Sequence, residues 1–245
     1  MKATFDAHGY VAVITGAANG IGRALACALA DAGGTVAVFD TDTDALAALA
    51  SVSAGIETHH VDVSDRIAVL KAIRAVEDRH GKIDGLVCGA AVQPRVPIHE
   101  TEPEVWDRVL QVNLNGVVWC YQAAVSGMIR RRSGSIVAFT SGLAGQGWPG
   151  ASAYASSKAA ITAFGKSAAK EIAPHRVRFN VVSPGVIDTP QYRTANKGKD
   201  GETWKATLGL GQPADVVGPL MFLLSDAATM TGSILSRDMA YGRGV

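Results

Sequence analysis

Cysteine is scarce in this chain. Only three cysteines occur in 245 residues, and Cys27, Cys88 and Cys120 form no CxxC pair. Thiols so few and so scattered exclude a disulfide framework and a cysteine zinc site. The six histidines show no ligand spacing, so we expect no metal in the chemistry.

An excess of charge of either sign is also missing. A formal net charge of +1 at pH 7 gives no global field that would draw the protein to nucleic acid or to an anionic membrane. The chain begins without an apolar signal core, and no apolar run approaches the roughly 18 residues of a membrane span. We therefore expect a soluble, cytoplasmic protein whose partner is a small molecule, with no nucleic-acid or membrane partner.

Short apolar runs alternate along the chain with Ala- and Leu-rich segments of helical spacing, such as Ile21–Ala32, Asp44–Val52 and Ile67–Arg79. Continuous apolar runs are typical of parallel strands that helices cover on both faces. Repeated β-α-β order predicts the α/β class, as a single Rossmann-type, doubly wound parallel sheet with helices on both faces. No linker or repeat interrupts the pattern, so residues 1–245 are predicted to form one dinucleotide-binding and catalytic domain. The predicted strands are Tyr10–Thr15, Thr35–Phe39, Ile56–Val61, Gly85–Cys88, Ser135–Thr140, Val177–Val182 and Ser233–Leu235.

A glycine-rich loop follows the first predicted strand directly and opens the first predicted helix. Its glycines are spaced four and then two residues apart. Without a Cβ, the backbone can turn tightly and approach a pyrophosphate at the positive end of the helix. The predicted cofactor contacts of this loop are Gly16, Asn19, Gly20, Ile21 and Gly22.

Asp40 ends the second predicted strand, where a carboxylate can accept both ribose hydroxyls of an adenosine and would repel a 2′-phosphate. Positions 17 and 18 are alanines and Thr41 follows the acid, so no arginine there neutralises such a phosphate. This pattern predicts NAD as the cofactor. Asp62, followed by Val63, ends the third strand and is predicted to lie by the adenine. For both aspartates, the alternative is a helix cap.

Three polar residues further along the chain stand at related spacings. Tyr154 follows Ser141 by thirteen residues, and Lys158 follows Tyr154 by four, so Tyr154 and Lys158 share one helical face. With the glycine loop, they resemble the short-chain dehydrogenase/reductase family of the NAD-dependent Ser-Tyr-Lys-Asn type, from about Tyr10 to Tyr241. Asn113 matches the family's fourth catalytic position. The resemblance also implies cofactor contacts at Ala90, Tyr154, Lys158, Pro184, Gly185, Ile187 and Thr189.

These residue types suit hydride chemistry. A free tyrosine has a pKa of about 10, and a nearby ammonium lowers it by roughly 1–3 units. Tyr154 is therefore expected to act as acid and base, and Lys158 to supply the ammonium and to hold the ribose. Ser141 is expected to hydrogen-bond the substrate oxygen, and Asn113 to orient a water that links Lys158 to solvent.

The chain departs from the family pattern in two places. Cys88-Gly89-Ala90-Ala91 stands where the family usually has Asn-Asn-Ala-Gly, and Asp238-Met239-Ala240 where glycines commonly follow the aspartate. Small residues at 89–91 keep room for a cofactor. Because a thiol replaces amide hydrogen bonds poorly, we expect lower stability near Cys88 but no lost function.

The predicted function is transfer of a hydride between NAD(H) and a small secondary alcohol or ketone. One alternative is a catalytically silent NAD(H)-binding sensor or scaffold, against which the intact Ser, Tyr, Lys and Asn set argues. Related epimerases or dehydratases generally have longer chains. An acyl-carrier 3-oxoacyl reductase usually prefers NADPH, which Asp40 disfavours.

A substrate lid is expected at about residues 189–212, from the family's usual arrangement. Polar and aromatic side chains there and after the fourth and fifth strands favour a compact polar or ring-shaped alcohol, such as a cyclic diol, sugar derivative or hydroxy acid. The predicted substrate contacts are Gln93, Arg95, Gln146, Trp148, Tyr192, Arg193 and Trp204.

Assembly is expected from the resemblance alone. Relatives commonly form homotetramers, or dimers, through the helices that here span about Asn115–Arg131 and Ser152–Ala173. Trp119 and Tyr121 on the first of these helices serve either this interface or the core.

Overall fold

The computed structural model of the protein describes residues 3–196 and 208–237. Within these residues a single sheet of seven strands has the order β3-β2-β1-β4-β5-β6-β7, and every strand pair is parallel. The prediction of a doubly wound parallel sheet is confirmed. The strands are β1 (Val11–Thr15), β2 (Thr35–Asp40), β3 (Ile56–His60), β4 (Gly85–Cys88), β5 (Gly134–Phe139), β6 (Val177–Ser183) and β7 (Ile234–Ser236).

Helices lie between the strands, as the helical spacing predicts. The strands and the five helices predicted by residue range each begin and end within two residues of the expected positions. The helices of the described residues are α1 (Gly20–Asp31), α2 (Thr43–Ala50), α3 (Arg66–His80), α4 (Pro103–Leu110), α5 (Gly116–Arg131), α6 (Leu143–Gln146), α7 (Ser152–Ile172), α8 (Pro190–Asn196) and α9 (Ala214–Leu224).

Both faces of the sheet are covered. Successive residues of β1 alternate between two apolar clusters: Val13 packs in one with residues of α3 and α5, and Ile14 in the other with residues of α1 and α9. All five β1 residues are buried. Because each face is removed from water, the first four residues of the strand are all apolar rather than alternating with polar ones.

The chain reverses its direction of winding next to β1. It passes outward from β1 through β2 to β3, then returns so that β4 pairs with the other side of β1. In a doubly wound sheet this reversal leaves a crevice at the carboxyl ends of the strands, where ligands bind. The glycine loop begins there, because Gly16 follows the last residue of β1.

A π-helical turn at Gln111–Asn115 joins α4 to α5. Such turns are rare and occur often at functional sites, and this one contains Asn113. No helix in the described part of the chain is long and apolar enough to cross a membrane.

Candidate active site

A cleft of about 410 Å³ opens at the carboxyl ends of the central strands. This volume is within the range of small-molecule binding sites in proteins. The loops after β1, β2, β3, β4, β5 and β6 all contribute to its lining, together with α7 and α8. The predicted cofactor contacts all line this cleft: Gly16, Asn19, Gly20, Ile21, Gly22, Asp40, Asp62, Val63, Ala90, Tyr154, Lys158, Pro184, Gly185, Ile187 and Thr189.

The glycines of the first loop stand where a side chain would not fit. Gly16 has a φ of +66°, and a Cβ there would lie 2.5 Å from the Cα of Ala90. A Cβ on Gly22 would lie 2.7 Å from the Cα of Ala17. The bare backbone of this loop and the start of α1 together form a cradle that fits the pyrophosphate of a dinucleotide.

Asp40 lies beside the glycine loop and is held by backbone amides. One carboxylate oxygen accepts a hydrogen bond from the Ala18 N–H (2.9 Å), and the other accepts from the N–H groups of Thr41 (2.7 Å) and Asp42 (3.1 Å). Asp42, not Asp40, caps α2 by accepting from the Ala45 N–H (3.0 Å). The alternative that Asp40 caps this helix is therefore wrong.

Asp62 lies at the same end of the cleft and is paired with Arg108, a residue of α4 that the sequence analysis did not single out. The Arg108 guanidinium donates to a carboxylate oxygen of Asp62 at 2.9 Å and to the Ser64 hydroxyl at 2.6 Å. Burial raises the pKa of Asp62, but hydrogen bonds from Ser64 and Arg108 outweigh it and hold the pKa below its usual value. Asp65, not Asp62, caps α3.

Lys158 is buried in the cleft wall, one helical turn along α7 from Tyr154. Its side chain is 3% exposed, and its ammonium donates to the Phe139 carbonyl at 3.0 Å. The ammonium nitrogen lies 5.6 Å from the centre of the Tyr154 ring. Burial lowers the pKa of Lys158 from 10.5 to about 8, because the charged form loses its hydration.

Ser141 follows β5 and lines the cleft with Tyr154 and Lys158. Its hydroxyl accepts from the Leu143 N–H at 3.2 Å, at the start of α6. The preceding residue, Thr140, donates from its hydroxyl to the Lys158 carbonyl at 2.9 Å. The end of β5 is thus tied to α7, next to Ser141, and the three polar side chains all line the cleft.

Asn113 does not line the cleft with the other three. It is fully buried in the π-helical turn, where its carboxamide oxygen accepts from the Val92 N–H (2.8 Å) and its NH₂ group donates to the Val92 carbonyl (3.0 Å) and the Ser157 hydroxyl (3.1 Å). These bonds tie the loop after β4 to α7. The expectation that Asn113 orients a water that links Lys158 to solvent stays a prediction.

Thr15 supplies a tie that the sequence analysis missed. Its hydroxyl accepts from the Gly89 N–H (3.2 Å) and the Ala90 N–H (3.3 Å), joining the end of β1 to the segment after β4. Cys88 is buried and hydrogen-bonded to the Cys120 thiol, which together with burial raises the pKa of Cys88. The lower stability predicted at Cys88 stays a prediction.

The segment after β6 also lines the cleft, through Pro184, Gly185, Ile187 and Thr189. Gly185 has a φ of +78°, which lets the chain turn sharply after the strand. The segment is held to the far end of the predicted lid, because the Gly211 N–H donates to the Val186 carbonyl at 2.8 Å. The lid residues 197–207 lie outside the described residues.

The structure places some of the predicted substrate contacts in the cleft lining and others outside it. Gln93, Arg95, Trp148 and Tyr192 line the cleft. Gln146 is exposed and does not line it. Arg193 also lies outside the lining, because its guanidinium pairs with both carboxylate oxygens of Asp188 at 2.6 and 2.7 Å. The structure does not bring these two residues into the cleft lining, and Trp204 lies outside the described residues.

Comparison with known proteins agrees with this geometry. A protein-family model described as short chain dehydrogenase matches residues 10–200. The chain belongs to the short-chain dehydrogenase/reductase family, so it is an oxidoreductase that interconverts alcohols and ketones with a nicotinamide dinucleotide.

The relatives differ in the substrates they are named for. The chain is 35% identical over 238 residues to a 3-oxoacyl-acyl-carrier-protein reductase from Thermotoga maritima. This alignment covers 94% of this chain and 97% of that protein. It is 38% identical over 186 residues to the NAD⁺-dependent 2-dehydro-3-deoxy-L-rhamnonate dehydrogenase of Sphingomonas sp., over 74% of each chain. A crystal structure from Brucella melitensis, described as a glucose/ribitol dehydrogenase, superposes with a TM-score of 0.90 at 29% identity, over 99% of this chain and 100% of that one.

Proposed function

We propose that this enzyme transfers a hydride between NAD(H) and a small secondary alcohol or its ketone, and that the alcohol is polar or ring-shaped. The observation that carries the proposal is the convergence of Ser141, Tyr154 and Lys158 in one cleft, beside a glycine cradle that fits a dinucleotide. The bound nicotinamide supplies or accepts the hydride. The side chains of this chain handle the proton.

Tyr154 is the acid and base of the proposed mechanism. In alcohol oxidation its phenolate oxygen takes the hydroxyl proton of the substrate, and in ketone reduction its phenol returns that proton. In this mechanism the Lys158 ammonium, 5.6 Å from the centre of the Tyr154 ring, favours the phenolate form. Ser141 donates a hydrogen bond to the substrate oxygen as negative charge develops on it.

Lys158 has a second proposed role as the anchor of the nicotinamide ribose. An ammonium has three N–H donors, and the described residues supply one acceptor, the Phe139 carbonyl. Two donors remain for ribose hydroxyls. Asn113 acts through other residues, because it bonds Ser157, whose hydroxyl donates to the Tyr154 carbonyl at 2.7 Å. We therefore assign Asn113 a positioning role.

NAD is the proposed cofactor, in preference to NADP. Two carboxylates, Asp40 and Asp42, line the cleft where β2 ends, and a 2′-phosphate beside them would be repelled. Arg108 also lines the cleft and is a candidate to offset that repulsion, but it is paired with Asp62. The Sphingomonas relative is named for NAD⁺.

The substrate class rests on the cleft lining after β4 and β5. Gln93 and Arg95 offer hydrogen bonds there, and Trp148 offers a ring face. Such a lining suits a cyclic diol, a sugar derivative or a hydroxy acid better than a fatty chain. The similarity to the Thermotoga reductase keeps a 3-oxoacyl reductase as the second candidate.

A turnover panel tests this function. Purified enzyme is mixed with NAD⁺ and one of several cyclic diols, sugars, hydroxy acids or long-chain aliphatic alcohols, and NADH formation is followed by absorbance. We expect turnover of at least one polar or cyclic alcohol and little turnover of the aliphatic series. Efficient oxidation of long-chain alcohols with no activity on any ring or polyol would contradict the proposed substrate class.

We also propose a homotetramer built through α5 and α7, as the family resemblance implies. Of the two aromatic residues that we associated with this interface, Tyr121 packs in the core, edge-on to Phe164 with ring centres 5.4 Å apart. Trp119 is only partly buried and carries the Arg66 guanidinium over its ring, at 5.3 Å. Light scattering at micromolar concentration tests the proposal, and a monomer would contradict it.

A cytoplasmic location is proposed as well. Cys27, Cys88 and Cys120 are all free thiols, which suits a reducing compartment. Fractionation of expressing cells with an antibody to the protein measures this directly.

A further inference from the structure

Arg95 has an unpartnered nitrogen in the substrate end of the cleft. Three basic side chains line the described cleft: Arg95, Arg108 and Lys158. Arg108 is paired with Asp62, and Lys158 donates to a backbone carbonyl. The Nη2 of Arg95 donates to the Asn196 carboxamide oxygen at a long 3.4 Å, and its Nη1 is buried with no acceptor among the described residues.

This arrangement is unfavourable for the protein alone. Burial lowers the pKa of Arg95 because it removes hydration from the cation, yet an arginine stays charged at neutral pH. A buried N–H donor and a partly buried charge, with neither an acceptor nor a counter-charge among the described residues, each raise the free energy of the folded state. A ligand that brought an anionic acceptor to Nη1 would remove both penalties.

The position of Arg95 is fixed by its neighbours. The next residue along the chain donates its backbone N–H to the Gly150 carbonyl at 2.9 Å, which ties this loop to the segment that precedes α7. The Asn196 amide that faces the guanidinium is oriented by its own bond to the Tyr192 carbonyl, at 2.9 Å. Arg95 lines the same cleft as Tyr154, the proposed proton-transfer group.

Negative charge in the described lining is confined to the other end of the cleft. The acidic residues that line it are Asp40, Asp42 and Asp62, at the carboxyl ends of β2 and β3. At the substrate end, the described lining has one free positive charge and no carboxylate to balance it. A single charge of this kind matches a monoanion better than a phosphate dianion.

We propose that Arg95 binds a carboxylate on the substrate, so that the substrate is a small hydroxy acid and the product the corresponding oxo acid. This inference rests on the proposed function and narrows it. The forked guanidinium suits the two oxygens of a carboxylate. The carboxylate takes no part in the bond changes: the carbinol carbon loses its hydrogen as hydride to NAD⁺, and the hydroxyl loses its proton to Tyr154. Arg95 is thus a specificity-determining residue.

A binding experiment tests the anchor without requiring turnover. NADH-saturated enzyme is titrated in a calorimeter with three acids, cyclohexanecarboxylate, 3-hydroxybutyrate and gluconate, and with the carboxamide of each. We expect at least one acid to bind the wild type about 10- to 100-fold more tightly than its amide. Arg95→Gln should abolish that preference, and Arg95→Lys should restore part of it because the charge returns without the fork.

Arg193→Gln is the matched control, because Arg193 pairs with Asp188 outside the cleft lining. It should leave the preference for the acid unchanged. The anchor is refuted if no acid binds the wild type better than its amide, or if Arg95→Gln and Arg193→Gln behave alike. Inorganic phosphate that binds through Arg95 more tightly than all three acids would also overturn the choice of a carboxylate.

Turnover of the same pairs separates this inference from the proposed function. With NAD⁺, 3-hydroxybutyrate or gluconate should have the higher kcat/KM, and Arg95→Gln should act mainly by raising KM. Equal oxidation of acids and amides would refute carboxylate binding by Arg95 and would agree with the proposed hydride transfer. If acids bound through Arg95 but no alcohol gave NADH, carboxylate binding by Arg95 would be supported and the proposed hydride transfer would be refuted.

Discussion

Replacing Lys158 by methionine should stabilise the protein without added dinucleotide, and the gain should fall as the pH rises. Methionine has a similar length and no charge. Lys158 is 3% exposed and has a pKa of about 8 in the folded protein, against 10.5 without the effect of burial. Because the folded-state pKa is the lower one, the unfolded chain binds more protons between these two values. Wild-type stability must then increase with pH across that interval.

The size of the effect follows from the two pKa values. A lowering from 10.5 to about 8 corresponds to about 3 kcal/mol of destabilisation of the folded wild type at neutral pH. By a pH of about 9.5 the folded Lys158 has lost its proton, while most unfolded chains have kept theirs. About 2 kcal/mol of the destabilisation is then removed. The loss of the bond to the Phe139 carbonyl opposes the gain in the variant at every pH by about 1–3 kcal/mol.

Urea unfolding of wild type and Lys158→Met at about pH 7 and about pH 9.5, at one protein concentration, measures this difference. The free energy of unfolding of the variant minus that of the wild type should fall by about 2 kcal/mol between the two conditions. Lys166→Met is the matched control, since Lys166 is exposed on the same helix and its charge is hydrated in both states. A difference for Lys158→Met that does not change with pH would refute the argument that its charge is buried.

Two further predictions concern the cofactor. Gly16→Ala should lower the free energy of unfolding by about 2 kcal/mol or more and weaken NADH binding, because its φ is positive and its Cβ would meet Ala90 at 2.5 Å. The control is Gly145→Ala, whose added Cβ has nothing within 4 Å and which should change the free energy of unfolding by less than about 0.5 kcal/mol. If urea unfolding gave equal effects for the two variants, the argument that Gly16 must lack a side chain would be contradicted. The double change Asp40→Ala, Thr41→Arg should shift the kcat/KM ratio towards NADP⁺ by about tenfold or more. A wild type that already prefers NADP⁺ would overturn the role given to Asp40.

The sheet and most of the cofactor cleft could be predicted from the sequence, because their signals are local. Apolar runs mark parallel strands, and the glycines of the first loop mark a turn that only a bare backbone can make. Asp40 could be placed because it directly follows a predicted strand, whose carboxyl end must reach the crevice. Tyr154 and Lys158 could be placed on one face because a helix brings residues four apart together.

The remaining site residues depend on contacts between distant segments. Arg108 lies on a helix 46 residues beyond its partner Asp62, and nothing in its local sequence marks it. The sequence predicts Arg193 as a substrate contact, whereas in the structure it pairs with Asp188, five residues away, and does not line the cleft. The bonds from the Asn113 side chain to Val92 and to Ser157 likewise join segments that lie apart in the sequence. Such pairings depend on tertiary packing, which motif spacing does not encode.

The most direct test of the central claim is the comparison of wild type with Tyr154→Phe, using NAD⁺ and the best alcohol from the turnover panel. The substitution removes one hydroxyl and keeps the ring that Lys158 approaches. If Tyr154 is the acid and base, kcat should fall by about 100-fold or more while NADH affinity, measured by fluorescence titration, stays within about twofold of the wild type. Retention by Tyr154→Phe of more than about a tenth of the wild-type kcat would contradict the assignment.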